Sequence, residues 1–554
     1  MFFSDRQLLF GLVIVGLAAV IATAHVFVRG GRARVLVHRW GSVLFCVGAL
    51  TACWSWVNFG EFHSIYIDQE GTPAGSPRRM KSEAHLPFHF HEFFHYYLGA
   101  KYFRELGYGG LYDCTALADA EIAREDQVPV KIGGWIRNLD DVLLDKSYTD
   151  AITHCRDEIV PRFTPEKWTA FKNDQRELRR LVPDGWWGGA TYDAGFNPPP
   201  SWCLIGGIFA HAIPIRVGHM NTFLVATSLD AMLLVACFLV LRRSFGGGAA
   251  ALAAIFFGAS FIASYGWNGG AFLRYTWVTG VVFGMAATRR GKWVLAGACF
   301  GVAACDRIFP LGFAIGAALP LAFRAWKHER ERRELKQFAM GLGGAVAGLV
   351  VVSTLVFGLS SWATFFERIL KHGDVYYVMH IGLKKVLAWR DWVPRQNFHG
   401  HEGLGRFHDW NVRLRGAWKA ERAVAIPIQL AAAAAAAWAA VGRKPYEGAL
   451  IVGVCAMFFF EIPANYYYVV LALVPAMLLR AATVAPTAER RRSDYAAMIL
   501  FFVFWAFTLR ASRMWGDDIV YNHWICVALL VYLDVWLLSW IEPPARLRKL
   551  LARA

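Results

Sequence analysis

The chain has 554 residues, of which 56% are hydrophobic and 18% are charged, and it contains 41 Phe, 23 Trp and 19 Tyr. This composition is typical of a polytopic membrane protein and excludes a soluble globular protein. The formal net charge is +16, but the basic residues cluster where apolar stretches end, which indicates membrane anchoring and argues against a nucleic-acid partner.

Apolar stretches near the length of about 20 residues that crosses a bilayer recur along the chain. They predict an all-α polytopic membrane protein with about thirteen transmembrane helices. The predicted spans are 8–28, 41–58, 219–241, 248–267, 271–288, 293–305, 308–323, 338–358, 424–441, 447–461, 465–481, 494–512 and 519–540.

The basic clusters predict an orientation for these spans. If the first cluster, at residues 29–39, is cytoplasmic, the N-terminus lies outside and every later Arg/Lys cluster falls on the cytoplasmic side. The same clusters favour anionic lipid headgroups, so membrane lipids are expected partners. The predicted regions are two N-terminal transmembrane helices at 1–58, a long extracytoplasmic loop at 59–202, a helix bundle at 203–358, a second extracytoplasmic segment at 359–423, and C-terminal helices with a basic cytoplasmic tail at 424–554.

Two cysteines differ from the others because they lie in the long polar loop. Cys114 and Cys155 can form a disulfide if the loop faces an oxidising compartment. Most of the other cysteines lie inside apolar stretches, where a thiol usually acts as a small hydrophobe.

The loop contains "HEFFH" at residues 91–95, which matches the zinc-protease pattern H-E-x-x-H. Pro87 favours a helix that begins there, and we predict a candidate active-site helix at 88–106. Helical spacing places Phe90, Phe93, Phe94 and Tyr97 on one face, and His91, Glu92, His95 and Tyr102 on the other. The ionisable face is expected to line a cleft.

A zinc protease needs a third protein ligand beside His91 and His95, with Glu92 activating a water molecule. The metzincin continuation is absent, because Leu98 stands at the glycine position and Lys101 at the last histidine position. A membrane zinc protease with His91 and His95 as metal ligands is therefore an alternative, while the main prediction includes no metal site.

A longer pattern begins at the same glutamate. "EFFHYYLGAKYFRELGYGGLYD", residues 92–113, resembles the first outer loop of C-class (GT-C fold) glycosyltransferases, especially the polyprenyl-phosphate-mannose-dependent mannosyltransferases. In that family an acidic residue precedes a Tyr-Tyr pair, an alanine, a glycine and a Tyr-Asp pair. The matching residues are Glu92, Tyr96, Tyr97, Ala100, Gly107, Tyr112 and Asp113.

Further segments resemble the same family in the same order. They are "FNPPPSW" at 196–202, "RRGKWVLAGACFGVAACDRIFPLGFAIG" at 289–316, "SWATFFERILKHGDVYYVMHIGLKKVL" at 361–387 and "NYYYVVLALVPAML" at 465–478. The resemblance implies a GT-C-like fold, with juxtamembrane helices in the long first outer loop.

The resemblance also implies a reaction. A polyprenyl-phosphate-linked hexose, most plausibly mannose, donates its sugar to a lipid or glycan acceptor with inversion at the anomeric carbon. The carboxylate at the start of the first outer loop, Glu92, is the implied general base. The departing phosphate needs cationic or hydrogen-bonding partners, for which the candidates are His380, Lys384, Arg274 and Arg307.

The remaining candidates have less defined roles. Asp68 also lies early in the loop and is a rival base. Substrate contacts are expected from His91, His95, Tyr96, Tyr97 and His372. Tyr466, Tyr467 and Tyr468 sit where an aromatic belt is expected, so membrane anchoring is predicted for them.

The prediction is an integral, multi-pass membrane glycosyltransferase of a bacterial inner membrane, with its active site facing the periplasm or exterior. No cofactor is predicted with certainty, and a divalent metal ion is left open. A second alternative is a non-catalytic membrane component that has the same fold.

Overall fold

The structure of the protein is a computed structural model, and its fold is mostly helical. It describes residues 5–28, 31–68, 80–142, 144–193, 195–216, 218–260, 265, 269–326, 328–373, 375–377, 379–389, 408–485, 487–515 and 518–541. The predicted basic tail beyond residue 541 and the part of the second outer segment at 390–407 lie outside these residues.

A helix lies at each of the predicted membrane spans. These helices are Asp5–Phe27, Gly31–Trp56, Asn221–Phe245, Gly247–Ala259, Thr276–Arg289, Trp293–Asp306, Leu311–Ala325, Glu329–Phe357, His408–Val441, Pro445–Cys455, Leu473–Val484, Ala488–Met514 and Asp518–Trp540. A π-helix, Ala456–Phe460, and a 3-10 helix, Asn465–Ala472, extend two of them.

The number of predicted crossings needs correction, although the all-α polytopic class is supported. Within the described residues, only seven helices are long and apolar enough to cross a membrane. Four other apolar helices have only 10–17 residues, which is shorter than the about 20 residues that a full crossing needs. Glycine, proline and charged residues interrupt the apolar stretches, as at Arg289–Lys292 and around Pro310. The structure therefore does not support thirteen full-length spans.

Residues 58–212, called the loop domain below, combine short helices with two antiparallel hairpins that the all-α prediction did not include. Strand His63–Asp68 pairs with Met80–Leu86, and strand Trp135–Arg137 pairs with Asp145–Ser147. The helices of the loop domain are Phe90–Glu92, Phe93–Tyr97, Leu98–Lys101, Phe103–Leu106, Gly110–Glu125, Tyr148–His154, Cys155–Ile159, Val160–Arg162, Pro165–Arg180, Asp184–Ala190 and Pro200–Ala212, together with Asn58–Gly60 at the start.

The disulfide that the sequence left open is present in the loop domain. Cys114, in helix Gly110–Glu125, is bonded to Cys155, and their Cα atoms are 5.1 Å apart. Both residues are fully buried in an apolar core that also contains Tyr112 and Ile159. The bond therefore connects two helices inside the core of the domain.

The predicted helix at 88–106 is helical from Phe90 to Leu106, but it includes a π-helical turn at Phe93–Tyr97 and a break at Tyr102. The apolar face is buried as predicted, because Phe90, Phe93, Phe94 and Tyr97 are all fully buried. The polar face is only partly as predicted. A π-turn contains an extra residue, which rotates the following side chains around the helix axis. The hydroxyl of Tyr102 donates to the carboxylate of Asp174 at 2.8 Å inside the loop domain.

Candidate active site

A cavity of about 1100 Å³ lies between the loop domain and the ends of several membrane helices. It brings together residues that are far apart in sequence. Of the predicted site residues, its walls include His91, Glu92, His95, Tyr96, Arg274, Arg307, His380 and Lys384.

Three predicted residues are not placed in this cavity. Tyr97 is buried beside it, where its hydroxyl donates to the carbonyl of Ile213 at 2.7 Å and accepts from the amide of Ile215 at 3.1 Å. Asp68 ends a strand and His372 ends a helix, but the side chains of both lie outside the part of the chain that the structure describes.

The backbone on both sides of Glu92 is fixed by local contacts. The ring of His89 accepts a hydrogen bond from the Glu92 amide at 3.4 Å, which caps the first turn of the helix. The His89 amide donates to the carbonyl of Gly270 at 2.8 Å. Gly270 has φ +66°, and a Cβ atom there would lie 2.7 Å from Cα of Phe88. Only glycine therefore allows the Arg274 segment to approach the helix this closely.

Glu92 forms an ion pair with Arg274 at the wall of the cavity. The two side chains are only 15% and 6% exposed, so solvent screens the pair weakly. The guanidinium of Arg274 lies 4.5 Å from the centre of the Tyr466 ring. The Arg274 amide also donates to the buried carboxylate of Asp230 at 3.1 Å. This arrangement holds a carboxylate beside a cation at the wall of the cavity.

Arg307 provides a second cation on the same wall. Its side chain pairs with Asp306 at 3.0 Å and donates to the hydroxyl of Tyr467 at 3.2 Å. The guanidinium also lies 5.6 Å from the ring centre of Tyr96 and 5.7 Å from that of Trp202. Aromatic faces around a guanidinium fix its plane and leave its N–H edge available to oxygen ligands.

His380 and Lys384 enter the cavity from the segment after helix Leu359–His372. The His380 ring accepts from the Tyr377 amide at 3.3 Å, and its backbone forms a β-bridge with Ala464. Lys384 donates to the carbonyl of Gly373. The bridge brings this segment against the chain that precedes Tyr466 and Tyr467, which completes the basic side of the cavity.

The two histidines of the HEFFH pattern stack with their ring centres 6.5 Å apart. Both ring nitrogens of His95 have hydrogen-bond partners, because Nδ1 contacts the carbonyl of His91 at 2.6 Å and Nε2 contacts the hydroxyl of Tyr112 at 2.7 Å. Burial lowers the pKa of His91 from 6.5 to about 4, so its ring is neutral at pH 7.

This geometry does not favour the zinc-protease alternative. Glu92 pairs with Arg274, whereas a water-activating glutamate must face the metal-bound water. Among the residues that the structure describes, no group of three or more His, Cys, Asp or Glu side chains is arranged to hold a metal ion.

Several residues of the cavity were not among the predicted site residues. His63, His89, Trp186 and Asp193 come from the loop domain, and Asp193 is 3.9 Å from His95. No local pattern marks these residues, since tertiary structure alone brings them to the cavity. The one signal in the sequence was for His89, which lies in the histidine-rich stretch around residue 91.

The prediction for the tyrosine cluster is corrected for all three residues. Tyr466 and Tyr467 line the cavity and contact Arg274 and Arg307. Tyr468 is fully buried, with its hydroxyl 3.5 Å from the sulfur of Cys526. A buried or cavity-lining position is different from the membrane–water boundary that an anchoring tyrosine occupies.

Comparison with known proteins gives one match. The model of glycosyltransferase family 87 matches residues 199–463. This region contains Arg274, Arg307, His380 and Lys384, whereas Glu92 lies before it. No curated protein and no solved structure matches the chain. The similarity to glycosyltransferase family 87, together with the apolar helices, supports a multi-pass membrane glycosyltransferase.

Proposed function

We propose that the protein transfers a hexose, with mannose as the favoured sugar, from a polyprenyl-phosphate sugar donor to a lipid or glycan acceptor. The observation that carries this proposal is the combination of the Glu92 carboxylate with four basic side chains around a single cavity. A carboxylate suits activation of a hydroxyl, and the basic side chains suit a departing phosphate. The GT-C fold and the donor class are parts of this proposal.

In the proposed reaction, Glu92 accepts the proton of an acceptor hydroxyl. The acceptor oxygen forms a bond to the anomeric carbon from the face opposite the phosphate. The bond between that carbon and the phosphate oxygen breaks, and polyprenyl phosphate leaves with the electron pair. The configuration at the anomeric carbon is therefore inverted.

Glu92 is suited to this role because its carboxylate lines the cavity beside the cation of Arg274. The hydroxyl must replace part of that pair to come within hydrogen-bond distance, as is common when a substrate enters a preformed site. Asp68 remains a rival base. Asp193 also lines the cavity, and its side chain is 45% exposed.

The phosphate would lie among Arg274, Arg307, His380 and Lys384. Charged hydrogen bonds to a phosphate oxygen are about twice as strong as neutral ones, and they strengthen as the leaving group gains charge. His91, His95 and Tyr96 would then contact the sugar or the acceptor. His372 remains a candidate for the same group of contacts.

A lipid chain also needs an apolar path to the cavity. Helix Leu359–His372 supplies Phe365, Phe366, Ile369 and Leu370 to the cavity wall. Phe366 and Leu370 are also 51% and 75% exposed. Apolar side chains that reach from the surface into the cavity suit a long isoprenoid chain that extends into the membrane.

We further propose that the active site faces the periplasm or exterior of a bacterial inner membrane. The disulfide between Cys114 and Cys155 supports this orientation, since such bonds form in oxidising compartments. The loop domain and the cavity would then lie on the extracytoplasmic side.

The test is a transfer assay with the purified protein in liposomes. We expect transfer from a polyprenyl-phosphate hexose, with release of polyprenyl phosphate, and no transfer from a nucleotide-linked hexose. A parallel assay with a metal chelator tests the divalent metal that the sequence leaves open. Transfer from the nucleotide sugar alone would refute the proposed donor. Lack of both transfer and bound polyprenyl phosphate would instead favour a non-catalytic membrane component.

A further inference from the structure

A second cavity, of about 390 Å³, lies outside the candidate active site, between the loop domain and helix His408–Val441. This volume falls within the range of about 300–1,000 Å³ that is common for small-molecule sites. The cationic side chains of its walls are Arg368, Lys371, Arg415, Lys419 and Arg422. Its acidic side chains are Asp140 and Asp141. The lining therefore carries a net positive charge.

Two of the cations have ion-pair partners in the structure. Arg368 pairs with Asp140 at 2.7 Å and donates to the carbonyl of Leu139 at 2.7 Å. Lys371 pairs with Glu367 at 2.7 Å on the same helix. The contacts of Arg368 join helix Leu359–His372 to the loop domain, whereas the Lys371 pair lies within the helix.

Two other cations point to a ligand. Lys419 and Arg422 are exposed, and no ion pair of either is found in the part of the chain that the structure describes. Together with Arg415 they follow the spacing i, i+4, i+7, which puts their side chains on one stripe of the helix. The cavity therefore presents adjacent cations that an anionic group can bind with charge-assisted hydrogen bonds.

The position of these three basic residues along helix His408–Val441 indicates that the anion is a lipid headgroup. The apolar stretch of helix His408–Val441 begins at Ala423, directly after Arg422. Trp418 also lines the cavity and is half-buried, 5.6 Å from the ammonium of Lys384. Tryptophan and basic residues at the start of an apolar helix occupy the headgroup layer of a bilayer.

We propose that this cavity binds the phosphate of an anionic membrane lipid, with Lys419 and Arg422 as its main ligands. The lipid belongs to the leaflet on the side of the loop domain, and its acyl chains extend along the apolar part of helix His408–Val441. This site does not depend on the identity of the sugar donor or on any role of Glu92.

The lipid would lie next to the candidate active site without entering it. Asn197 lines both cavities, and helix Leu359–His372 contributes Arg368 to one and Ile369 to the other. A bound headgroup would therefore contact helix Leu359–His372 on the side that faces away from the candidate active site.

Native mass spectrometry of the purified full-length protein tests this site directly. The probes are phosphatidylglycerol, zwitterionic phosphatidylcholine with the same acyl chains, and inorganic phosphate as a competitor. We expect phosphatidylglycerol to bind more tightly than phosphatidylcholine. Removal of both ligands, in Lys419→Gln with Arg422→Gln, should weaken phosphatidylglycerol binding about tenfold or more, since each basic residue contributes about 1 kcal/mol near an anionic surface.

The matched control is Arg413→Gln, on the same helix but outside the cavity lining, and it should change the affinity by less than about twofold. The charge-conserving variant Lys419→Arg with Arg422→Lys should retain binding, which separates loss of charge from loss of folding. Equal binding of the two lipids would overturn the proposal, and so would equal losses in the double variant and in Arg413→Gln. Complete displacement of the lipid by inorganic phosphate alone would show a site for a soluble anion and would also overturn it.

Discussion

At the scale of single residues, the pair of Glu92 and Arg274 is the centre of the proposed chemistry. Arg274 is held from three sides, by Glu92, by the ring of Tyr466, and through its backbone by Asp230. A cation fixed in this way holds the neighbouring carboxylate at the wall of the cavity. The same cation is available to a phosphate when an acceptor hydroxyl engages the glutamate.

The first prediction concerns the stability of this pair. Arg274→Gln leaves the Glu92 carboxylate without its cation in a largely buried position, so we expect a loss of about 3–5 kcal/mol in unfolding free energy. The additional change Glu92→Gln should recover part of that loss, because no unpaired charge then remains. The measurement is thermal unfolding in detergent.

The control for this prediction is Arg330→Gln, which breaks an exposed pair with Glu334. We expect this change to cost less than about 1 kcal/mol. Equal melting temperatures for Arg274→Gln and Arg330→Gln would contradict a stabilising Glu92–Arg274 pair.

The second prediction concerns His91, whose pKa is lowered by burial from 6.5 to about 4. Between these pH values the unfolded chain binds a proton that the folded chain does not. The contribution of neutral His91 to the free energy of unfolding is therefore fully present above pH 6.5. This contribution is lost as the pH falls towards 4. We expect His91→Gln to reduce the loss of stability between pH 7 and pH 4.5 by roughly 1–3 kcal/mol.

The measurement is the unfolding midpoint at several pH values, with His211→Gln, an exposed histidine, as the control. Some pH dependence should remain in His91→Gln, since burial also lowers the pKa of His89. A pH profile of His91→Gln identical to that of the unchanged protein would show that His91 has no part in the acid sensitivity.

At the scale of single residues, the sequence predicted some of the residues that line the cavity but not others. Glu92 stood out because it begins the segment that resembles a C-class glycosyltransferase loop, and Arg274, Arg307 and His380 because a departing phosphate needs cationic or hydrogen-bonding partners. His63 and Asp193 did not stand out, since nothing in their local sequence distinguishes them from other loop residues. Their position follows from the packing of the loop domain, which no local pattern specifies.

At the scale of elements, the conformation of the helical segment Phe90–Leu106 depends on both its local sequence and its tertiary contacts. Its apolar spacing predicted the buried face, which contains Phe90, Phe93 and Phe94. The π-turn at Phe93–Tyr97 was not predictable, because residue composition does not distinguish it from an α-turn. The break at Tyr102 was not predicted either, and the hydroxyl of Tyr102 donates to Asp174 inside the loop domain.

The disulfide gives a prediction at the same scale. Cys114 and Cys155 are 41 residues apart, so the bond restricts a long loop in the unfolded chain. Replacing both by serine should lower the unfolding free energy by about 2–4 kcal/mol, and a reductant should then have no further effect on the melting temperature.

The matched control is Cys46→Ser, an exposed free cysteine in helix Gly31–Trp56, which should retain the response to the reductant. If the double serine variant melted at the same temperature as the unchanged protein, the disulfide would not contribute to the stability of the loop domain.

At the scale of the whole molecule, composition predicted the all-α polytopic class, but span counting overestimated the full crossings. A hydropathy pattern finds apolar stretches, yet it does not show where a helix ends within one. Helix Gly247–Ala259 has only 13 residues, although the apolar stretch suggested a span at 248–267. This helix is covered by its neighbours, since nearly all residues of Gly247–Ala259 are buried.

The proposed orientation is tested by labelling introduced cysteines in intact cells. Asp157 lies in the loop domain and Glu329 begins helix Glu329–Phe357, and both are exposed. With a membrane-impermeant maleimide, we expect Asp157→Cys to react in intact cells and Glu329→Cys to react only after lysis, relative to the unchanged protein. The reverse pattern would place the cavity on the cytoplasmic side.

The most direct test of the proposed mechanism is the initial rate of sugar transfer by Glu92→Gln. This change keeps the shape of the side chain but removes its ability to accept a proton, so the rate should fall by about 10²–10⁴-fold. Asp193→Asn is the matched control, because it neutralises another carboxylate of the same cavity, and it should retain most of the rate. Transfer by Glu92→Gln at the rate of the unchanged protein would contradict the role of Glu92 as the general base.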